Sequence, residues 1–446
     1  MPRDTMPRLV LDDIATNEAF QPARPKITLS RWSAFQAMPA AGFSHIINAL
    51  KHRDFRVFMS GHVLSQTAMW MYRITVGWLT WELTHSATWL GLMGLADMSS
   101  SLFIGPITGA LADRLDRLAI IRATQAGTAF FAFLTFLANY NGWITPEILF
   151  GLVVCFGLCI STNLPARLAI VPNLVGPENL HAGIAINSLV SNAGRFLGPA
   201  LGGYLIYLWG VSAAFAACAV FFGIPAFTLW LIRAPRIEIE KSGKRLLTDV
   251  VDGISYAAKH AGIGPMMVSL IITAVFGKTV VYMFPAFASE VFNLGAEALA
   301  MLTGSVGVGA VLGGIYMARR PGLQGLTRIF VLSIAGVGIG LAGFSANTTF
   351  WIAVPLAGII GGSLLVNGVA AQSLIQSAVL GAMRGRVASL YVMIQRGGQS
   401  VGSLVLGILA DIVGLRWSIA IASVFCLCFW LWSMRRAKTM AKLMEP

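Results

Sequence analysis

The chain has 446 residues, of which 56% are hydrophobic and only 11% are charged. Typical soluble domains carry about 25% charged residues, so this composition excludes an ordinary soluble globular protein. The apolar content is enough for roughly a dozen helices of the ~20 residues that cross a bilayer. The net charge of +13 would suit a nucleic-acid-binding protein, but the basic residues concentrate in segments that we place on one side of the membrane. This positive-inside distribution places both termini in the cytoplasm and argues against a nucleic-acid partner.

The start of the chain is polar and lacks the apolar core of a signal peptide, so we interpret residues 1–54 as a cytoplasmic N-terminal extension. Twelve apolar runs follow, each long enough to cross a membrane as a helix. They are numbered here as spans 1–12 and lie at residues 56–82, 89–112, 118–139, 147–168, 182–208, 211–233, 263–290, 297–318, 327–346, 350–378, 386–412 and 416–434. The sequence therefore predicts an all-α membrane protein with twelve transmembrane helices.

The longest internal connection, residues 234–262, divides the spans into two sets of six. Its apolar residues between Leu246 and Ala257 recur at helical spacing, which predicts an amphipathic helix on the inner membrane surface. We therefore predict an N-terminal six-helix bundle at 55–233, the cytoplasmic linker at 234–262, a C-terminal six-helix bundle at 263–436 and a cytoplasmic tail at 437–446.

The two halves resemble each other at an offset of about 204 residues, where glycines coincide with glycines. The matching pairs are Gly105 with Gly309, Gly109 with Gly313, Gly198 with Gly402, Gly203 with Gly407, and Gly210 with Gly414. Small residues allow membrane helices to approach closely. This pattern predicts two six-helix pseudo-repeats around a central cavity.

The connection between spans 2 and 3 reads Gly109-Ala-Leu-Ala-Asp-Arg-Leu-Asp-Arg117. Its charged side chains cannot lie in hydrocarbon, so we interpret it as a tight cytoplasmic turn. The pattern resembles the G-x-x-x-D-R-x-x-R signature of the major facilitator superfamily, whose members move small solutes across membranes by alternating access. The chain departs from that signature at Asp116, where glycine is common, and at Leu118, where a basic residue is common. The resemblance implies a gating loop at the interface of spans 2 and 11, formed by Gly109, Asp113, Arg114 and Arg117.

Span 5 contains a second signature, which resembles the G-x-x-x-G-P-x-x-G-G element of proton-coupled exporters in the superfamily. Its glycines permit close helix contact, and Pro199 removes a backbone donor and bends the span. A packing kink that any transporter could use is the alternative interpretation. The residues of this export-type element are Gly194, Gly198, Pro199, Gly202 and Gly203.

The resemblance extends over nearly the whole chain from Phe55 onward. Motifs such as Arg384-Gly385-Arg386-Val387 are similar to the branch that contains enterobactin exporters and related drug or metabolite exporters. Many proton-coupled drug exporters also have an arginine within span 4. Here Arg167 lies at the cytoplasmic end of that span instead.

Four basic residues lie deep within the predicted spans, away from the span ends, and in the superfamily fold their helices border the central cavity. Charges at membrane depth are costly and usually face a cavity or a partner. Their excess over acidic residues predicts an anionic cargo held between the two halves. The alternative is that the arginines of spans 5 and 11 bond backbone carbonyls at broken helices. The four residues are Arg73 in span 1, Arg195 in span 5, Lys278 in span 7 and Arg396 in span 11.

Asp97 in span 2 is the one comparably deep carboxylate. At 1.5 Å per residue, Arg73 and Asp97 both lie roughly 12–14 Å below the outer ends of adjacent spans, which predicts an ion pair. The pair is either a structural salt bridge or a proton-coupling site in which protonation of Asp97 releases Arg73. Gln66 and Asn192 are polar candidates for the cavity lining. A cavity of mixed polar and apolar character suits an amphiphilic organic solute better than a bare ion.

Chemistry of other kinds has little support in the sequence. Cys155 and Cys159 share a helix face, but no histidine or carboxylate lies close by in sequence, so a packing role is the better interpretation than a metal site. There is no Walker A, zinc, haem or nucleotide signature. We therefore expect no metal, no cofactor and no enzymatic activity.

These observations together predict a secondary active transporter of the bacterial inner (plasma) membrane. We expect export of a small organic compound, anionic or amphiphilic, coupled to protons. The expected partners are the small-molecule substrate, protons and membrane lipid, and the expected state is a monomer. Import, or transport of lysolipids or metabolites, is the alternative within transport. A non-transporting membrane receptor or scaffold is the alternative from another class.

Overall fold

The computed structural model describes residues 48, 50–103, 116–176, 179–232, 246–320, 322–379 and 383–445. Within these ranges the secondary structure is helical, without a strand. Most of the predicted N-terminal extension lies outside the described residues. So do Gly109, Asp113 and Arg114 of the predicted gating loop and the first part of the predicted linker.

The N-terminal half forms six helices whose ends follow local signals. Asp116 caps one of them by accepting a hydrogen bond from the Leu118 amide at 2.9 Å. A single long helical stretch, Leu180–Thr228, is interrupted at Gly210, whose φ of 78° and ψ of 176° suit glycine alone. The helices are α1 (Arg53–Thr84), α2 (Ala87–Phe103), α3 (Arg117–Tyr140), α4 (Pro146–Val175), α5 (180–209) and α6 (211–228).

The C-terminal half begins with the linker helix, Leu246–Lys259, where an amphipathic helix was expected. The following helix, α7, spans residues 263–291 and contains π-helical turns at Thr273–Gly277 and Phe287–Val291. Such turns insert an extra residue into the helix and often occur at functional sites. The remaining helices are α8 (Ala296–Ala318), α9 (Leu326–Ala346), α10 (Phe350–Ala378), α11 (Arg384–Val413) and α12 (Leu415–Met444).

Eight helical segments of the described chain are long and apolar enough to cross a membrane, judged by length and composition alone. The stretch containing α5 and α6 counts as one of them, and α1, α2 and α11 are not among them. Arg73 and Arg396 lower the hydropathy of α1 and α11, whereas only 17 residues of α2 lie in the described part of the chain, fewer than a span needs. The finding supports an all-helical membrane protein, while the number of twelve spans stays a prediction.

The helices pack as two sets. In the first set α1 contacts the α5–α6 stretch and α3 contacts α4, and in the second set α9 contacts both α10 and α12. Among the described residues the most extensive contacts between the sets join α2 with α11 and α5 with α8, and α7 makes smaller contacts with α1 and α2. We call the end with the turns at 85–86, 292–295 and 347–349 the upper end, and the opposite end the lower end.

Close contacts between the two sets occur toward the upper end. A methyl group placed on Gly203 of α5 would come 2.2 Å from the Ala300 side chain and 3.0 Å from the Ala296 carbonyl oxygen of α8. One placed on Gly407 of α11 would come 2.4 Å from the Ala87 carbonyl oxygen of α2. Glycine at these positions therefore lets backbone meet backbone across the interface.

Candidate functional site

An ion pair joins α1 to α2 inside the bundle. The Nε of Arg73 lies 2.8 Å from Oδ2 of Asp97, and Nη2 of Arg73 lies 3.4 Å from Oδ1. The two side chains are 17% and 9% exposed. The residues that the sequence placed at one depth on adjacent helices therefore do pair, with both charges largely removed from solvent.

The ring of Trp70 lies against two guanidinium groups. The Cζ of Arg73 is 4.8 Å from the ring centroid, and the Cζ of Arg195 on α5 is 5.3 Å from the same centroid. Cation–π attraction at such distances orients a guanidinium over an aromatic face. Trp70 thus links the ion pair of α1 and α2 to the cation of α5.

The C-terminal set contributes Lys278 from α7 and Arg396 from α11. The Nζ of Lys278 donates a hydrogen bond to Oε1 of Gln395, a buried side chain next to Arg396 in sequence. Lys278 directly follows the π-helical turn of α7, Thr273–Gly277. That local widening of the helix positions the lysine toward α11.

These charged groups form one electrostatic cluster. Arg195 interacts with both Arg73 and Arg396, and Lys278 interacts with both Arg195 and Arg396. Asp97 contributes the negative charge that acts on Arg396. The structure therefore brings together the four cations and the one carboxylate that sequence reasoning selected, two cations from each set of helices. Four positive charges and one negative charge therefore lie together in this cluster.

The glycines of the span 5 element divide between two neighbours. Methyl groups placed on Gly194, Gly198 and Gly202 would come within 2.9, 2.5 and 2.8 Å of atoms of α1. Gly203 faces α8 of the other set instead, and Pro199 is buried. The element thus holds α5 tightly against the part of α1 that carries Trp70 and Arg73.

The two polar candidates have local partners. Gln66 is 6% exposed and packs against Gly194, in the contact between α1 and α5. The Nδ2 of Asn192 donates to the Ser188 carbonyl of its own helix at 3.0 Å. Gln66 is thus positioned one helical turn below Trp70, whereas the amide of Asn192 bonds within α5.

Asp411 of α11 binds the start of α2. Its carboxylate accepts hydrogen bonds from the Ser86 hydroxyl at 2.7 Å and from the Ala87 and Thr88 amides at 2.8 and 2.9 Å. These donors form the N-terminus of α2, where a negative charge is favoured. Asp411 on α11 therefore connects the two sets at the upper end.

Sequence reasoning missed Trp70 and Tyr282 as members of the cluster. Trp70 precedes Arg73 by three residues, so the two side chains share a helix face, a signal that was available in the sequence. Tyr282 on α7 interacts electrostatically with Asp97 and packs toward Gly94 of α2. That contact joins helices that are distant in sequence, and no local sequence pattern predicts it.

The described residues hold no group of three or more histidine, cysteine or carboxylate side chains that could bind a metal. Cys155 and Cys159 are free thiols on α4. The Sγ of Cys159 would lie 2.7 Å from a methyl group placed on Gly127 of α3, so it fills space between the two helices.

Comparison with known proteins identifies the family. Residues 45–442 match the model of a family described as transmembrane secretion effector, one of the major facilitator superfamily families. The chain is 22% identical to the staphyloferrin A transporter of Staphylococcus aureus over 376 residues, covering 84% of this chain and 94% of the relative. It is 25% identical to the enterobactin exporter EntS of Escherichia coli over 370 residues, covering 80% and 85%.

Solved structures share the fold at low identity. A bacterial homologue of the human lysosomal transporter Spinster, inward-facing and occupied, aligns with a TM-score of 0.69 at 15% identity, covering 88% of this chain and 98% of the other. The nucleoside transporter NupG aligns with a TM-score of 0.67 at 14% identity, covering 86% and 99%. The expected resemblance to the superfamily is confirmed.

Proposed function

Because the chain belongs to the transmembrane secretion effector family of the major facilitator superfamily, we propose that it exports a small organic anion or anionic amphiphile by alternating access. The protein is an integral inner-membrane transporter of that superfamily and not an enzyme. The cargo, the direction and the coupling to protons are the parts that we propose.

One observation carries the choice of cargo. Arg73, Arg195, Lys278 and Arg396 act on one another electrostatically where the two sets of helices meet, and Asp97 offsets one of their charges. Bringing like charges together at membrane depth is unfavourable unless a counter-charge binds among them. An anionic cargo supplies that counter-charge, and Trp70 supplies an apolar face beside it.

The relatives support the proposed direction of transport, and the contacts at the upper end support a proposed conformation. One relative is named for staphyloferrin A and another for enterobactin export, so siderophores are the first cargoes to test. We propose that the lower end faces the cytoplasm with both termini, as the basic residues predict. Contacts at the upper end then belong to an inward-facing state, in which cargo is loaded from the cytoplasm.

Proton coupling is proposed at the ion pair. Protonation of Asp97 would remove the charge that holds Arg73. Export driven by inward proton movement requires that Asp97 take up this proton on the outer side and carry it inward after the cargo has left, and that deprotonation on the inner side restore the ion pair before the next cargo binds. The loop with Gly109, Asp113, Arg114 and Arg117 is proposed to gate the lower end at the α2–α11 interface, within a functional monomer.

Transport in proteoliposomes tests this function. We would measure counterflow and pH-gradient-driven accumulation of anionic, cationic and neutral amphiphiles, including siderophores. The Arg195→Gln/Lys278→Gln variant is expected to lose transport of anions by 10-fold or more, since two of the four cations are removed. Arg319→Gln/Arg320→Gln, which removes the same charge at the end of α8, is the matched control and should transport normally.

The Asp97→Asn variant separates cargo from coupling. We expect it to retain counterflow but to lose accumulation driven by a pH gradient. Unchanged anion transport in the Arg195→Gln/Lys278→Gln variant would contradict the anionic cargo. Inward movement in oriented vesicles would favour the import alternative, and the absence of any ligand-dependent movement would favour a receptor or scaffold.

A further inference from the structure

A second polar cluster lies inside the N-terminal set, toward the lower end. Helices α1, α3, α4 and α6 surround a cavity of about 30 Å³ there, large enough for a water molecule. The polar residues that line it are His62, Ser65, Gln125, Asn163 and Arg167. None of them belongs to the central group of four cations and Asp97.

His62 and Arg167 form the centre of this cluster. The Nη1 of Arg167 lies 3.0 Å from Nδ1 of His62. A guanidinium group has only donors, so Nδ1 must accept and the imidazole must be neutral, with its proton on Nε2. The conformation therefore holds His62 in one defined protonation state and tautomer.

Both side chains also have polar atoms without hydrogen-bond partners. His62 is 4% exposed, and its Nε2 is buried without a partner among the described residues. The Nε of Arg167 is also buried and has no hydrogen-bond partner among the described residues. Buried polar groups normally have hydrogen-bond partners, so these two side chains can form further hydrogen bonds in another conformation.

The groups around His62 are neutral apart from arginines. Phe58 of α1 stacks on the imidazole with 6.5 Å between ring centroids, and Pro225 of α6 and Leu229, directly after α6, also line the cavity. On α3, Gln125 bonds to Ser65 at 3.0 Å and to the Phe222 carbonyl at 3.2 Å. On α4, Asn163 bonds to Thr124 at 2.8 Å.

The charged group in contact with His62 is Arg167 on α4, which in turn interacts electrostatically with Arg396 on α11. Arg122 lies one helical turn before Gln125 on α3. Arg122 bonds to the carbonyl oxygens of Leu229 and Ile232, at the lower end of α6. Among the described residues no carboxylate lies within ion-pair distance of His62. A proton on His62 would therefore meet a cation and no counter-charge in the present conformation.

We propose that His62 is a second proton-binding site of this transporter, at which a proton and Arg167 compete for Nδ1. The incoming proton takes the lone pair of Nδ1, and the Arg167 Nη1–H···Nδ1 hydrogen bond breaks. The product is an imidazolium with two N–H donors beside a guanidinium. Two such cations repel strongly in a buried site, so Arg167 must turn away.

The displacement of Arg167 connects this site to the central cluster. Arg167 acts electrostatically on Arg396 of α11, across the boundary between the two sets. Protonation of His62 thus changes the charge arrangement that faces Arg396. We infer that the protonation state of His62 biases the relative position of the two sets. This inference rests on the alternating access of the proposed function, and it does not depend on the identity of the cargo.

A distance measurement without cargo tests the inference. Spin labels at the exposed positions 172 on α4 and 376 on α10 would report the separation of the two sets at the lower end, in the full chain in lipid nanodiscs. We expect the distance distribution to shift as the pH falls through and below the ordinary histidine range, about 6.5. His62→Gln is expected to abolish the shift, because glutamine still accepts from Arg167 but cannot take a proton.

His260→Gln is the matched control. The Nδ1 of His260 accepts from the amides of Gly262 and Ile263 beside the linker helix, outside the spans, so its loss should leave the shift in place. A shift of the same size and midpoint in His62→Gln would overturn the proposal. Absence of any shift in the unmodified protein would overturn it as well.

A second variant keeps the proposal testable if His62→Gln does not fold. Arg167→Gln removes the competing cation, so we expect the transition to move to higher pH by about one to two units. An unmoved transition would contradict the competition. Because none of these measurements uses a cargo, the outcome does not depend on whether anionic compounds are transported.

Discussion

Trp70 holds a central position in the cluster of charged residues between the two sets of helices, although its own side chain carries no charge. Its ring lies 4.8 Å from the guanidinium carbon of Arg73 and 5.3 Å from that of Arg195. The two arginines come from different helices, and Arg73 is also tied to Asp97. Trp70 therefore lies between the arginine that pairs with Asp97 and Arg195 of α5.

We predict that Trp70→Leu weakens the binding of the transported anion. Each cation–π contact contributes about 0.5–2 kcal/mol, and 1.4 kcal/mol corresponds to a tenfold change in affinity. Loss of both contacts should raise the half-saturating cargo concentration roughly 10-fold. Trp70→Phe should give an intermediate value, because phenylalanine keeps an aromatic face.

Trp230→Leu is the control for this prediction, measured in the same proteoliposome assay. Trp230 contacts Arg122 at 5.0 Å, far from the central cluster and at the lower end of α6. Its replacement removes one cation–π contact without touching the cavity, so cargo affinity should stay the same. Equal losses in the two variants would mean that Trp70 acts only through stability.

Some contacts between single residues can be predicted from the sequence, and others cannot. The Arg73–Asp97 pair could be predicted because both residues stand alone in apolar runs, at equal distances from the same turn. The Lys278–Gln395 hydrogen bond could not, because the two residues are 117 positions apart and glutamine is common in such helices. The His62–Arg167 pair was missed since Arg167 was placed at the solvated end of span 4.

Among the elements, α5 shows how a small-residue pattern fixes helix packing. Gly194, Gly198 and Gly202 recur every four residues and face α1, while Gly203 lies beside them and faces α8. At Gly198 a methyl group would come 2.5 Å from Cβ of Trp70 and 2.7 Å from the Thr67 carbonyl oxygen. Backbone atoms cannot move aside as a flexible side chain can, so the space is fixed by the helices.

We predict that Gly198→Ala lowers the stability of the folded protein by about 1–3 kcal/mol, the range for overpacking a close contact. Thermal unfolding in detergent would measure it. Gly223→Ala on α6 is the matched control, because a methyl group there meets nothing within 4 Å. Equal stability of the two variants would show that α1 and α5 are less tightly apposed than the structure indicates.

Element boundaries were the most predictable part of the fold. The run 350–378 coincides with α10, and the break expected between spans 5 and 6 falls at Gly210, as the glycine and its neighbours suggested. The extent of α4 and α12 was underestimated. Both continue past the apolar run, to Val175 and Met444, because an amphipathic segment stays helical after leaving a membrane.

At the scale of the whole molecule, the two sets of helices are joined by contacts that must break if the transporter opens at the upper end. Gly203 meets α8, Gly407 meets α2, and Asp411 binds the first residues of α2. The arrangement of the sets could not be predicted from apolar runs, because every run looks alike in its hydropathy. It depends on which glycines and carboxylates face across the interface.

Asp411 is the one carboxylate among these three contacts, and we predict that Asp411→Asn shifts the protein toward opening at the upper end. The charged acceptor binds two amides and a hydroxyl at the N-terminus of α2. Hydrogen bonds to a charged group contribute about 1.5–3 kcal/mol against about 0.5–1.5 for neutral ones. The difference of about 1–1.5 kcal/mol at one bond corresponds to roughly 5- to 10-fold, so the asparagine should change the ratio of open to closed molecules by at least that much. Spin labels at positions 141 and 347, on turns of different sets at the upper end, would measure that ratio. Open and closed molecules would give two different distances between the labels, and their populations give the ratio.

Glu297→Gln is the control for this measurement. Glu297 also accepts an amide at a helix start, that of Gly295 at 3.0 Å, but donor and acceptor both belong to the C-terminal set. Neutralising it changes a helix cap without changing the contact between sets, so the distances should stay as they are. If Asp411→Asn behaves like Glu297→Gln, the carboxylate only stabilises α2. If Asp411→Asn alone lengthens the distance, the closed upper end depends on a single acidic residue of α11, and opening requires that its three hydrogen bonds break together.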